Sequence, residues 1–99
     1  MSDNTDQSLQ SHRCEINRLD GEIVRLLNAR TEHVLAIGCI KQQNHKDFYA
    51  PNREKEIFEH IKRLNAGPMT NDSLCAIYRE IMSGALALQR AKMDSSKMF

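Results

Sequence analysis

The sequence predicts an all-α fold of three helices, long, short and medium, assembled as an intertwined oligomer. Two observations point to helix: the composition is rich in helix formers, and an apolar repeat of three and four runs from Leu9 to about Lys41 without a proline. A third divides the rest, because Pro51 and the Gly67-Pro68 pair cut it into two shorter segments. The chain has 99 residues, the size of one small domain. Aromatic residues make up only 5% and Trp is absent, which leaves a β-sandwich core poorly supplied.

Along the first helix, Ile16, Leu19, Ile23, Leu26, Leu27, Val34, Ile37 and Ile40 form one stripe. Gly21 and Gly38 each cost roughly 1 kcal/mol against Ala, but neither has turn residues beside it, so the helix continues through both. At 1.5 Å per residue it is about 50 Å long, against a radius of gyration near 13 Å for a compact globule of this size. Such a helix projects beyond its own subunit unless another chain covers it, and an oligomer is expected on that ground alone.

The segment from Gln42 to Ala50 is the first break. Pro51 suits the first turn of a second helix, whose buried side is Ile57, Ile61 and Leu64 with Phe58 flanking, and Glu59 and Arg63 stand as an i,i+4 pair opposite. Gly67 supplies a left-handed cap and Pro68 forbids continuation. Thr70, Asn71 and Asp72 are each suitable N-caps for a third helix, whose stripe of Leu74, Ile77, Tyr78, Ile81, Ala85 and Leu88 runs to about Lys92. The expected organisation is a flexible N-terminus over 1–8, one domain over 9–92 and a flexible tail over 93–99.

Charge and cysteine usage narrow the function classes. Fourteen basic against 13 acidic side chains leave a net charge of +1, which argues against a protein held on nucleic acid or an anionic membrane by bulk charge. No apolar run approaches the ~20 residues of a membrane span. Cys14, Cys39 and Cys75 are widely separated, and the four histidines show no metal-ligand spacing, so neither a disulfide framework nor a metal centre is expected. The polar, acidic start is unlike a signal peptide, and the expected compartment is the cytoplasm.

The chemistry lies in the exceptions to the stripe. Arg30 follows Ile23 by seven residues and Lys41 follows Val34 by seven, so both occupy core phase. They point the same way within ~20° and stand ~16 Å apart along the axis, a spacing from which two long cations can close on one small anion. Gln89, four residues after Ala85, also faces inward. Each has an ordinary alternative: a lysine or arginine that lays its methylenes on apolar surface with its charge in water, or a glutamine serving as a structural amide. The combination, with Arg53 and Glu54 opening the second helix, favours an anionic ligand that neutralises the buried cations. Arg13 lies ~42 Å before Lys41 on the same helix. It is either a solvated first-turn arginine or, if it shares a site with Lys41, the contribution of a second chain.

The order Arg13, Ile16, Leu19-Asp20, Leu26-Leu27, Arg30, Ile37-Gly38 and Lys41 resembles the first helix of the all-helical chorismate mutases. Ala50-Pro51-Asn52-Arg53-Glu54 is similar to their Pro-x-Arg-Glu start of helix two, and Tyr78-Arg79-Glu80-Ile81-Met82-Ser83 with Leu88-Gln89 resembles their third helix. The likeness spans roughly residues 9 to 90 in order. It implies an intertwined homodimer that isomerises chorismate to prephenate by a Claisen rearrangement, on the route to phenylalanine and tyrosine, with no cofactor. It further implies that Arg30 and Arg53 grip the two carboxylates, with Arg13 entering from the partner subunit. Lys41 and Gln89 would donate to the ether oxygen, and Glu54 would accept from the ring hydroxyl. Two positions depart from the pattern: Ala50 replaces the Asp and Ala85 the Ser of many such mutases. Ala50 leans toward isochorismate pyruvate lyases on the same scaffold, whereas Glu54 leans toward the mutases. A helical dimerisation or regulatory module without catalysis is the remaining alternative.

Overall fold

The computed structural model describes residues 2–97, with side chains from 4 to 93; Met98 and Phe99, in the expected tail, lie outside the described residues. Three helices follow one another, α1 (Ser2–Gln43), α2 (Pro51–Leu64) and α3 (Asn71–Lys97), and no strand occurs among the described residues. The long, short, medium order is as expected. The ends differ, for α1 starts seven residues before Leu9 and α3 passes Lys92. The continuation of α3 has a reason in its own stripe: Met93, four residues after Gln89, is buried.

The chain divides into two compact units, Met1–Thr31 and Glu32–Phe99. In the first, every described residue is exposed except Leu27, Arg30 and Thr31, which are half-buried. Ile16, Leu19, Ile23 and Leu26 of the apolar stripe are each about half exposed or more. Two i,i+3 ion pairs, Arg18 with Glu15 at 2.6 Å and Arg25 with Glu22 at 3.0 Å, lie in solvent, where such pairs contribute little.

The second unit holds the core. There α2 packs on α3, with Ile61, Cys75 and Met82 buried and Ile57, Phe58, Leu74, Tyr78 and Ile81 half-buried around them. The Arg79 guanidinium stands 5.5 Å from the centre of the Phe58 ring, within cation–π range. The last turns of α1 are tied to α3 by two side-chain amides that reach main-chain carbonyls. Gln89 Nε2 donates to the Val34 carbonyl at 2.8 Å, and Gln42 Nε2 donates to the Met93 carbonyl at 3.3 Å. Gln42 thus belongs to α1 rather than to the break. Ile37 and Ile40 of the stripe remain about half exposed.

Each connection is settled by a local motif. α1 ends in a Schellman arrangement: the Lys46 N–H reaches the Lys41 carbonyl at 2.8 Å and the His45 N–H reaches that of Gln42 at 3.2 Å. The left-handed position of that motif is filled by His45, at φ 55°, where glycine is the usual occupant. α2 does not end in a left-handed glycine cap. Its C-cap is Asn65 in an extended conformation, and Gly67, at φ 80°, lies two residues further on. The Asn65 side chain shapes this turn by accepting from the Gly67 N–H at 3.0 Å and donating to the Met69 carbonyl and Asn71 Oδ1. Of the three candidate caps for α3, Thr70 is used: its carbonyl accepts from Leu74 and its hydroxyl from the Ser73 N–H. On α2, Glu59 pairs with Lys62 at 3.5 Å rather than with Arg63, since i,i+3 neighbours share a helix face as i,i+4 neighbours do.

Candidate active site

The residues selected from the sequence fall into three settings. Lys41 and Gln89 belong to the join between α1 and α3. Arg53 and Glu54 open α2. Arg13 and Arg30 lie in the Met1–Thr31 unit.

Lys41 stands in the last turn of α1, where the partial negative charge of the unpaired carbonyls favours a cation. It is held at both ends. Its carbonyl accepts the Lys46 N–H of the Schellman motif, and its half-buried ammonium donates to the Phe48 carbonyl at 3.2 Å. The ammonium has three donors, and this bond uses one of them.

Gln89 is the buried polar residue of the described core, only 4% exposed. Its neighbour across the join is Gly38, three residues before Lys41. A Cβ built on Gly38 would stand 2.7 Å from Gln89 Cγ, so the two helices meet here as closely as glycine allows. The bond to Val34 identifies which end of the amide is the donor, and it leaves the second N–H of Nε2 available. An unpaired buried amide would be costly; none of the fully buried side-chain polar atoms among the described residues lacks a partner.

At α2 the N-cap is Ala50, half-buried, at φ −134° and ψ 84°, with no side-chain cap; its carbonyl accepts the Glu54 N–H at 3.0 Å. Pro51 has no N–H, so the N–H groups of Asn52 and Arg53 are left at the positive end of the helix without a capping side chain. Glu54 is half-buried. Arg53 is exposed and donates to Glu56 at 3.3 Å, with both side chains 67% exposed. Its guanidinium is engaged by a carboxylate one turn along its own helix, on the solvent side. Arg13 is exposed, Arg30 is half-buried, and Ala85, one turn before Gln89, is half-buried.

A half-open cleft of about 780 Å³ adjoins this region. It is lined by Gln42, His45, Lys46, Asp47, Phe48, Tyr49 and Arg90, and none of the selected residues lines it. Lys41 touches its wall through the Phe48 carbonyl. Arg90 and the 44–49 loop carry no particular signal in the sequence, because they come together only where the Schellman turn folds the chain back. Gly38 was legible only as a helix-interior glycine without turn residues beside it, a signature that Gly21 shares although a Cβ built there meets nothing within 4 Å. Among the described residues no group of three or more His, Cys, Asp or Glu side chains is placed to hold a metal ion, and no helix is long and apolar enough to cross a membrane.

Comparison with known proteins identifies the family. The family model for chorismate mutase type II matches residues 12–90. The chain is 41% identical over 90 residues to the bifunctional chorismate mutase/prephenate dehydratase of Neisseria gonorrhoeae, covering 91% of this chain and 24% of that one. It is 43% identical over 88 residues to the protein of the same name from Aquifex aeolicus, covering 85% and 24%. It thus spans about a quarter of the length of these relatives. A solved chorismate mutase from Thermus thermophilus (form II) superposes with a TM-score of 0.81 at 30% identity, over 83% of this chain and 93% of that one. From the first amphipathic helix to the buried Gln89, the chain belongs to the all-helical chorismate mutase type II family.

Proposed function

We infer that the chain catalyses the Claisen rearrangement of chorismate to prephenate, as an isomerase without a cofactor. The observation that carries this reading is the buried Gln89 amide, oriented by the Val34 carbonyl and packed against Gly38, three residues before Lys41 in α1. As the carbon–oxygen bond of the substrate lengthens, negative charge gathers on its ether oxygen. Donors fixed in advance near that oxygen stabilise the transition state more than the ground state. Lys41 supplies a point charge with donors to spare, and Gln89 supplies a neutral N–H that needs no protonation step.

The arginines serve orientation. An intramolecular rearrangement needs its enolpyruvyl arm folded over the ring, and two carboxylates gripped by planar guanidinium forks hold that fold. Arg30, half-buried in α1, takes one carboxylate. Arg53 takes the other by leaving its solvent-exposed partner Glu56, an exchange that costs little because exposed ion pairs are weak. The uncapped N-terminus of α2 favours an anion in the same place. Glu54 accepts from the ring hydroxyl. Ala50 and Ala85 offer no side-chain hydrogen bond, which leaves those contacts to backbone or water.

The functional unit in this reading is a homodimer. Half-exposed Ile16, Leu19, Ile23 and Leu26 form an apolar face along α1 that a second copy covers, and Arg13 then enters the partner's site. The setting is cytoplasmic, with no nucleic-acid or membrane partner.

The test is loss of chorismate absorbance on addition of purified protein, with prephenate as product and Lys41→Ala as control. A parallel incubation with isochorismate that released salicylate, with no prephenate from chorismate, would assign the chain to the lyases; no turnover of either would leave a helical binding module. Sedimentation at micromolar concentration checks the dimer, and a monomer that still turns over chorismate at the full rate would exclude it.

A further inference from the structure

We propose that Gly38 is a positioning residue for Gln89: by lacking a side chain it opens the Val34 carbonyl to the Gln89 amide and so fixes the N–H that the reaction uses. This rests on the functional reading above.

Val34 and Gly38 are one i,i+4 step apart in α1, so the Val34 carbonyl is already the acceptor of Gly38's own N–H. Every Cα–Cβ bond of an α-helix tilts toward the N-terminus, so a side chain at i+4 leans over the turn that carries carbonyl i. An outside donor therefore has its freest access to such a carbonyl mid-helix where that side chain is missing. Gln89 does reach it, at 2.8 Å, and its own side chain fills the space. A Cβ at Gly38 would meet Gln89 Cγ at 2.7 Å, Nε2 at 3.2 Å and Cδ at 3.3 Å. The nearest of these is Cγ, close to the α3 backbone, and cannot swing aside as a side-chain tip can. Added bulk at Gly38 must move the amide itself.

Gly38 also has no conformational reason to be glycine. It is not among the residues of positive φ, and a mid-helix glycine is less stable than alanine there. Gly21 and Gly84, the other helical glycines, meet nothing within 4 Å of a built Cβ, so the close approach is particular to this position.

The experiment is a double-mutant cycle with Gly38→Ala and Gln89→Ala, read by kcat, KM, melting temperature and hydrogen exchange of the Gln89 side-chain amide. On the native background Gly38→Ala is expected to lower kcat by about tenfold or more with a smaller change in KM, because only transition-state donation is disturbed. On the Gln89→Ala background the same substitution is expected to leave kcat within about twofold and to raise the melting temperature, since helix propensity alone then decides. Protection of the Gln89 amide protons is expected in the native protein and lost in Gly38→Ala. Equal losses of kcat on both backgrounds, or unchanged amide protection in Gly38→Ala, would overturn the proposal. The exchange measurement does not depend on turnover, so an inactive native protein would sink the functional reading while leaving the positioning role to be judged on its own.

Discussion

Two helix ends carry the candidate cations, and they are built in opposite ways. Lys41 lies at the C-terminus of α1, where the dipole favours it, a Schellman motif holds its carbonyl and the Phe48 carbonyl holds its ammonium. Arg53 lies in the first turn of α2, where the dipole opposes a cation, Ala50 provides no side-chain cap and the guanidinium rests on Glu56 in solvent. One end is organised before any ligand arrives. In the proposed reading the other is organised by the ligand, whose carboxylate would satisfy the arginine and the uncapped N–H groups together. The chemistry is thereby assigned to the first end and capture to the second.

That division is broken most directly by comparing Lys41→Ala with Arg53→Ala. Removal of a fixed donor at the breaking bond is expected to lower kcat by about 10²–10³-fold or more. Arg53→Ala is expected to act chiefly on KM, with Arg53→Lys a poor rescue, because an ammonium cannot reproduce the planar fork. Steady-state kinetics on the two variants decide the matter; a Lys41→Ala defect confined to KM would reverse the assignment.

The next effect is one of pH. Gln89 does not titrate, so the native rate at pH 7.5 is expected not to fall far below that at pH 5. Gln89→Glu changes this sign-specifically. A carboxyl donates only when protonated, so the variant gains activity as pH falls through its pKa, which starts near 4.3 in water and is raised by burial of the kind seen at this position. The ratio of variant to native kcat from pH 8 to pH 5 should rise steadily, and a flat ratio would remove Gln89 from the list of donors.

The contrast between the helix ends was unequally legible in the sequence. Lys41 and Gln89 stood out because polar residues in core phase break a regular apolar pattern, and the structure places Gln89 in the core. The turn and cap details were not legible. His45 adopts a conformation that its side chain disfavours, and it does so because Lys46 and His45 together close the end of α1. Thr70, Asn71 and Asp72 were indistinguishable as caps, since any of their oxygens can accept from a helix N–H; the choice falls to how Asn65 engages Met69 and Asn71. The stripe itself was readable, and along the first part of α1 it stays uncovered in the single chain: Ile16, Leu19 and Ile23 are apolar in sequence and half exposed.

The smallest effects test the two ends as helix termini. His45→Gly removes the side-chain cost of a left-handed residue, and Ala50→Asp gives α2 the capping oxygen it lacks. Each is expected to stabilise the fold by about 1 kcal/mol, seen as a rise in the denaturant midpoint. Their consequences for catalysis should diverge. Glycine at 45 keeps the turn that holds Lys41, so kcat is expected to stay within about twofold. An aspartate at 50 caps those N–H groups and supplies the side-chain acceptor that many all-helical chorismate mutases carry there, so KM is expected to fall as stability improves. If Ala50→Asp raised KM instead, the uncapped N–H groups of α2 would themselves be taking a substrate carboxylate, and the added charge would be competing with it.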